Sequence, residues 1–161
     1  MNIRHGELKD LPFITDIYNQ GIEDGVATLE VRGKTEDEVR IWLFDRSERY
    51  SILVIEENDQ VMGWAALQPY RYRAAYEGVA EFSLYIARDQ RGKGLGHLLL
   101  GALEKCARDN NFYKLMLMVL EVNTSAHQLY IKRGFRTVGI YEKHGYQHGI
   151  YYDVRAMEKI F

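Results

Sequence analysis

Cysteine and proline are scarce in this chain. Its 161 residues include one cysteine, Cys106, and two prolines, Pro12 and Pro69. A single cysteine excludes an internal disulfide framework and a metal site built from several cysteines. Because Cys106 falls on the apolar stripe of a predicted helix, we expect it to pack in the core rather than act as a reactive thiol. With no low-complexity run, repeat or linker, residues 1–161 are predicted to form one domain.

The chain also lacks an excess of charge of either sign. Its 21 basic and 23 acidic side chains give a formal net charge of −2. No global positive field therefore draws the protein to nucleic acid or to membrane phosphates. No window reaches the roughly 18 apolar residues of a membrane span, and the first residues lack the apolar core of a signal peptide. We expect a soluble, cytoplasmic protein with a small-molecule partner.

Helical and strand periodicities alternate along the first part of the chain. Apolar residues at helical spacing predict a helix over residues 11–22, with Asp10 as its N-cap. The run Thr35-Glu36-Asp37-Glu38 fits a capping box before a second helix. Two strands, residues 51–56 and 60–67, then follow in the manner of a hairpin, so the sheet is predicted to begin antiparallel.

The strand predicted over Val79–Ile86 has two different faces. Its even positions are all apolar, whereas its odd positions include Glu81, Ser83 and Tyr85. Alternate residues of a strand point to opposite faces, so one face is expected in the core while the other offers polar groups. A long amphipathic helix over residues 95–107 follows.

The last part of the chain continues the alternation. An apolar run over residues 112–120 predicts a strand, and Asn123 is placed to cap the helix that follows. Two more strands are predicted over residues 135–141 and 150–159. The stretch 144–149, rich in glycine and histidine, is predicted to be the loop between them.

A glycine-rich segment, Gln90-Arg91-Gly92-Lys93-Gly94-Leu95-Gly96, joins the Glu81 strand to the long helix. Bare backbone amides and the positive end of a helix bind anions, and Arg91 and Lys93 add charge, so the segment suits a pyrophosphate. The segment matches neither the Walker A loop nor the dinucleotide fingerprint Gly-x-Gly-x-x-Gly. A turn that merely joins strand to helix is the alternative that this segment alone leaves open.

Two ordered motifs carry a family resemblance. Arg91-x-x-Gly94-x-Gly96 resembles the acetyl-CoA pyrophosphate loop of the GNAT superfamily of N-acetyltransferases, and Asn123-x-x-Ala126-x-x-Leu129-Tyr130-x-x-x-Gly134-Phe135 resembles its second signature. Ala80-Glu81-Phe82-Ser83-Leu84-Tyr85 and His144-Gly145-x-x-x-Gly149-x-x-x-Asp153 resemble the branch of phosphinothricin, methionine sulfoximine and arsinothricin acetyltransferases. The resemblance implies the GNAT fold, an α/β (α+β) architecture with a mixed, mostly antiparallel twisted sheet of about six to seven strands and about four helices.

The resemblance also implies a reaction, in which acetyl-CoA acetylates the primary amine of a small amino-acid-like toxin or metabolite. A primary amine is largely protonated at pH 7, so a base is needed, and Glu81 is the candidate. A phenol keeps its proton at neutral pH, so Tyr130 is the candidate acid for the departing thiolate. A glutamate that only forms a salt bridge and a tyrosine that only packs are the alternatives.

The candidate cofactor residues share the two motifs and the strand before them. A backbone N–H of this strand is also expected to stabilise the oxyanion. The candidates are Leu84, Tyr85, Ile86, Arg91, Gly92, Lys93, Gly94, Leu95, Gly96, Asn123 and Ser125.

Four residues are candidates for binding the acceptor: Thr28, Glu30, Arg71 and Arg73. Guanidinium forks suit a carboxylate or phosphinate, although surface arginines often bind no ligand. No histidine spacing typical of metal sites is present, and we expect no metal.

Other functions stay open at this point. The same chemistry on a polyamine or a protein N-terminus is one, and the arginine pair argues against a cationic polyamine. A CoA-binding sensor without turnover is another. Related enzymes often pair, so a homodimer is expected, with the tyrosine-rich end (Tyr141, Tyr146, Tyr151, Tyr152) either lining the interface or packing within the sheet.

Overall fold

The structure, a computed structural model, describes every residue from Met1 to Phe161 and contains one seven-stranded sheet flanked by four α-helices. The strands are β1 (Asn2–His5), β2 (Ile52–Glu57), β3 (Gln60–Pro69), β4 (Val79–Ile86), β5 (Lys114–Leu120), β6 (Arg136–Gln147) and β7 (Ile150–Ile160). The helices are α1 (Leu11–Asp24), α2 (Glu36–Leu43), α3 (Leu95–Asp109) and α4 (Thr124–Lys132). None of the helices combines the length and apolarity that a membrane crossing requires.

The strand order is β1-β2-β3-β4-β5-β7-β6. Every neighbouring pair is antiparallel except β4 and β5, which run parallel. The predicted hairpin of β2 and β3 and the antiparallel start of the sheet are therefore confirmed. The sheet is mixed because β4 and β5 are joined by α3, the kind of crossover that parallel neighbours need.

The sheet separates two hydrophobic cores. On one face Leu99 and Leu103 of α3 pack with Leu115 of β5. On the other face Ile14 of α1 packs with Trp64 of β3. The two cores confirm that each helix buries one apolar stripe against the sheet.

The two faces predicted for β4 are present, with one difference. Phe82 lies in the core under α3, as the alternation predicts. Tyr85 points to the opposite face, where its ring lies 5.0 Å from Tyr18 and 5.2 Å from Trp64 between centroids. This end of the predicted polar face is thus aromatic packing, and the polar part is confined to Glu81 and Ser83.

Of the caps predicted for the first two helices, that of α2 is confirmed and that of α1 is wrong. Thr35 Oγ1 accepts a hydrogen bond from the Glu38 N–H, and Glu38 accepts one from the Thr35 N–H. Asp10 precedes α1, but its carboxylate does not cap that helix. It accepts from the Glu7 N–H and pairs with Arg4 at 2.7 Å, because a charged bidentate partner binds a carboxylate more strongly than helix amides do.

The loop predicted over residues 144–149 is wrong. β6 continues to Gln147, and only His148 and Gly149 form the turn before β7. Both turn residues have positive φ, 50° and 77°, which is typical of a two-residue type I′ hairpin. His144 therefore lies in a strand.

An irregularity in β6 allows the strand to continue through the glycine- and histidine-rich stretch. The register with β7 shifts between Tyr141 and Gly145, which is a β-bulge. Within it Lys143 has φ 47°, and its N–H donates to Asp153 Oδ1 at 2.7 Å. The side chain of Asp153 thereby stabilises the bulge and fixes where β6 resumes.

A buried carboxylate ties α3 to the end of α4. Glu104 is only 1% exposed and accepts hydrogen bonds from Arg133 and Lys159, each at 2.8 Å. Lys159 also donates to the Arg133 carbonyl at 2.6 Å, just beyond the C-terminus of α4. Burial raises the pKa of Glu104, but the hydrogen bonds from the two cations outweigh it, and the pKa lies below its ordinary value.

We predict that Glu104→Gln lowers the free energy of unfolding by about 3 kcal/mol, because it leaves two partly buried cations without their counter-charge. Asp109→Asn on the same helix is the matched control. Asp109 pairs with Lys105 at the surface, where solvent screens the pair, so its loss is expected to leave the free energy of unfolding nearly unchanged. Urea denaturation of both variants at pH 7 measures the difference, and equal effects would contradict the assignment.

Candidate functional site

The two parallel strands pair over a short distance and then separate. Residues Val79–Glu81 pair with Lys114–Met116, after which β4 continues along β3 and β5 continues along β7. The gap between them opens into a cleft of about 680 Å³, lined by both strands, by α4 and by the start of α3. A strand edge without a partner presents free backbone N–H and C=O groups.

Every second residue of β4 directs its backbone toward this gap. The Gly78 carbonyl accepts from the Tyr113 N–H beside β5, whereas the Ala87 N–H donates to β3 on the other side. The N–H and C=O groups of a strand residue point to the same side, and that side alternates along the chain. Leu84 and Ile86 therefore present their N–H groups to the gap, beyond the last residue pair with β5.

The glycine-rich loop ends beside the same cleft. Gly94 is the N-cap of α3 with φ 80°, a conformation that suits glycine, and no side chain caps this helix. The first N–H groups of α3 are thus available to an anion. A Cβ at Gly96 would lie 3.2 Å from Leu129 Cδ2, so this glycine lets α3 approach α4.

The two charged residues of the loop have different surroundings. Arg91 lines the cleft, pairs with Asp24 at 2.5 Å and donates from Nε to the Ile86 carbonyl at 3.1 Å. Lys93 is exposed, and its Nζ donates to Gln90 Oε1 at 2.9 Å. Lys93 is the only predicted cofactor residue outside the cleft lining.

Asn123 has the capping role that its sequence position predicts. Its Oδ1 accepts from the Ala126 N–H at 3.3 Å and from the Ser125 hydroxyl at 3.2 Å. Both Asn123 and Ser125 also line the cleft. Capping occupies the side-chain oxygen, so the amide nitrogen of Asn123 is free for another partner.

Tyr130 closes the inner side of the cleft. Its ring packs edge-on against Phe82 and Phe135, with centroids 5.8 and 5.9 Å apart. Burial raises the pKa of Tyr130 above its ordinary value. The phenol therefore stays protonated at neutral pH and can donate a proton.

Glu81 lies on the opposite side of the sheet plane, one residue before the cleft lining begins. Its half-buried carboxylate makes no hydrogen bond or salt bridge within the protein. The alternative in which Glu81 only forms a salt bridge therefore does not agree with the structure. Burial raises the pKa of Glu81, and the positive charge of Arg71 lowers it in part. Across the strand pair, Gln68 binds the Ser83 hydroxyl and accepts from Trp42.

The four residues predicted to bind the acceptor have different surroundings in the structure. The positive charge of Arg71 lowers the pKa of Glu81. Arg73 is exposed and makes no side-chain hydrogen bond or ion pair. Thr28 accepts from the Glu30 N–H at 3.3 Å. Glu30 lines a second cavity of about 430 Å³, formed by Tyr18, Glu30, Lys34, Glu38, Val39, Ile41 and Trp42.

Several cleft residues escaped the sequence analysis. Leu117–Val119 of β5 and Val26–Ala27 after α1 form walls of the cleft. Residues 117–119 lie in an apolar strand whose pattern does not distinguish a gap from a core, and Val26–Ala27 carry no local signal. Cys106 lies outside the lining, and burial raises its pKa. No group of three or more His, Cys, Asp or Glu side chains is arranged to hold a metal ion.

Comparisons with known proteins agree with this geometry. A family model described as acetyltransferase (GNAT) family matches residues 14–135. The L-methionine sulfoximine/L-methionine sulfone acetyltransferase of Pseudomonas aeruginosa is 30% identical over 159 residues, covering 98% of this chain and 92% of that protein. The structure of a phosphinothricin acetyltransferase from Sinorhizobium meliloti in complex with AcCoA matches with a TM-score of 0.94 and 28% identity, over 99% of this chain and 88% of that one. The ribosomal-protein-alanine N-acetyltransferase of Brucella melitensis matches with a TM-score of 0.95 and 30% identity, over 100% of both chains.

Proposed function

The chain belongs to the acetyltransferase (GNAT) family, and we propose that its 161 residues form one domain that transfers the acetyl group of acetyl-CoA to the primary amine of a small amino-acid-like substrate. One observation carries this proposal: a gap between parallel strands leads directly to the uncapped N-terminus of α3. An extended thioester with a pyrophosphate at one end fits such a cleft. Substrates of the phosphinothricin or methionine sulfoximine type follow from the relatives that bear such names, and one of the arsinothricin type follows from the resemblance of the Glu81 strand.

The cofactor-binding roles follow from the lining of the cleft. The N–H groups at the start of α3 bind the pyrophosphate, with Gly92 and Gly94 supplying the positive φ angles of the loop. Arg91 adds a positive charge once it exchanges its contact with Asp24 for the phosphate. The extended pantetheine arm of acetyl-CoA lies along the free edge of β4 and reaches the side-chain amide of Asn123.

Glu81 is the proposed general base. It accepts a proton from the acceptor ammonium, directly or through a water molecule, and the neutral amine then attacks the thioester carbon. The raised pKa of Glu81 suits this role, because a base of higher pKa accepts a proton more readily.

Leu84 and Tyr130 complete the proposed reaction. The Leu84 N–H, which points into the gap, donates to the oxyanion as the C–N bond forms. When the C–S bond breaks, Tyr130 gives its proton to the departing thiolate, for which its high pKa keeps it ready. The amine is proposed to attack the thioester directly, and Cys106, the only cysteine, lies outside the cleft.

The acceptor is proposed to bind between Arg71 and the segment that carries Thr28 and Glu30. Arg71 forms no ion pair within hydrogen-bond distance, and its guanidinium lies 5.1 Å from the centroid of the Tyr70 ring. It is therefore available for the carboxylate or phosphinate of an amino-acid analogue. Arg73 is retained as a second candidate at the rim. Acetylation removes the charge of the amine, so a role in resistance to toxic amino-acid analogues fits this chemistry.

A protein N-terminus is the second candidate acceptor. The observation that favours it is the similarity to the ribosomal-protein-alanine N-acetyltransferase of Brucella melitensis. An N-terminal amine undergoes the same attack and needs the same base. It lacks the free carboxylate that would engage Arg71.

Thiol release from acetyl-CoA tests the proposed function. We predict turnover with phosphinothricin, methionine sulfoximine or arsinothricin, and at least tenfold lower kcat/KM with spermidine and with a peptide that begins with alanine, because neither has a free carboxylate on the carbon that bears its reacting amine. Turnover with the peptide alone would favour the second candidate. Tight CoA binding without turnover on any amine would contradict an enzymatic role and favour a sensor.

The pH dependence of kcat tests the role of Glu81. Burial raises its pKa, so the acidic limb is expected above the range of an ordinary glutamate, whose pKa is about 4.3. Arg71→Gln removes a charge that lowers this pKa and should move the limb to higher pH, whereas Arg73→Gln should leave it in place. Glu81→Gln should lower kcat about 100-fold. Full turnover by Glu81→Gln would show that another group removes the proton.

A homodimer completes the proposal. β6 is an edge strand, and the hairpin of β6 and β7 exposes Tyr141, Tyr146 and Tyr151 to 50%, 61% and 62%. Exposed aromatic residues on an unpaired edge are typical of protein interfaces. Sedimentation velocity at micromolar concentration should give a mass near twice 18.8 kDa, and Tyr146→Glu should give the monomer. A wild-type monomer would refute this part.

A further inference from the structure

The β6–β7 hairpin packs against the segment that follows α1. A Cβ added at Gly145 would overlap Leu29 Cδ1 and would lie 3.1 Å from Cδ2 and 3.2 Å from Cγ. Two residues further along β6, the side-chain nitrogen of Gln147 lies 3.8 Å from the Cβ position of Gly25. Gln147 is only 2% exposed. The hairpin therefore touches both ends of Gly25–Leu29, a segment outside any helix or strand.

The segment held in this way borders both candidate sites. Val26 and Ala27 line the acetyl-CoA cleft. The side chain of Thr28 lies beside the phenols of Tyr18 and Tyr85. Burial raises the pKa of each phenol, and the contact with Thr28 offsets part of that rise. Glu30, just beyond the segment, lines the second cavity. A shift of the segment would move groups on both sides of the place where the acceptor is proposed to bind.

Space, not backbone conformation, explains the glycine at this position. Gly145 does not have a positive φ, so alanine would cause no backbone strain there. Leu29 Cγ is among the crowded atoms, so rotation about χ2 alone does not clear the space, and χ1 or the backbone of Leu29 must change. The bulge held by Asp153 and Lys143 fixes Gly145 in turn.

We propose that Gly145 is a positioning residue for acceptor specificity: its missing side chain seats Leu29 and so sets where Val26–Glu30 lies relative to Glu81. This inference rests on the proposed function for the acceptor site. The hairpin of β6 and β7 thus sets the width of the acceptor pocket, although the walls of that pocket come from other parts of the chain. Apart from Val26 and Ala27, the acetyl-CoA cleft is lined by β4, β5, α3, α4 and the glycine loop, so binding of acetyl-CoA should change less than binding of the acceptor.

Hydrogen exchange followed by mass spectrometry tests the contact itself. Gly145→Ala should speed exchange in peptides covering residues 25–30 by about tenfold, while peptides from α3 stay unchanged. Gly139→Ala is the matched control, because Gly139 lies in the same strand, has no positive φ and has no atom within 4 Å of its Cβ position. The double variant Gly145→Ala/Leu29→Ala removes the crowding and should return exchange toward that of Leu29→Ala alone. Unchanged exchange in Gly145→Ala would overturn the inference.

Steady-state kinetics test the consequence. Gly145→Ala should raise the acceptor KM about tenfold and leave the KM for acetyl-CoA within about twofold, because a small displacement of binding groups weakens the acceptor site alone. Adding Leu29→Ala should recover most of the loss. Equal changes in both KM values, or none, would overturn the specificity role. A wild-type chain that acetylates no amine would refute the proposed function and this kinetic half together, whereas the exchange result decides the contact independently.

Discussion

The early separation of β4 from β5 is the constraint on which the rest of this structure depends. An unpaired buried backbone group costs about 1–3 kcal/mol, so a sheet normally keeps its strands paired. Here pairing stops after three residues on each strand. The surrounding contacts must hold the gap open, and they do so from both sides: α3 and α4 are joined through buried Glu104, and β3 and β7 pair with the outer edges of the two strands. As a result, the N–H of Leu84 has no partner in β5 and is available to a ligand in the cleft.

Burial tunes the two groups that are proposed to move protons. It raises the pKa of both Glu81 and Tyr130, but with different consequences, because one must accept a proton and the other must donate one. For Glu81 the nearby positive charge of Arg71 limits the rise in pKa. For Tyr130 no nearby charge opposes the rise in pKa, and the phenol stays protonated. The same physical effect thus suits opposite roles on the two sides of β4.

Local patterns predicted much of this fold and part of its site. The Thr35 capping box, the cap at Asn123 and the position of the glycine loop before α3 depend on neighbouring residues, and each is confirmed. The alternation along β4 is confirmed except at Tyr85, which packs against other aromatic rings. The GNAT fold itself is confirmed by the solved relatives. What failed depends on contacts between elements: Asp10 pairs with Arg4 of β1 instead of capping α1, and β6 continues through a bulge that Asp153 stabilises from the facing strand. The gap and the seat of Leu29 likewise arise from register and packing, which no local spacing encodes.

The central claim is that the free edge of β4 receives acetyl-CoA, and amide resonances measure it most directly. In a 15N-labelled protein titrated with acetyl-CoA, the account predicts that the N–H signals of Leu84 and Ile86 shift downfield together with those at the start of α3, as each gains a hydrogen-bond acceptor. Shifts confined to the glycine loop and α3, with Leu84 and Ile86 unchanged at saturation, would contradict it.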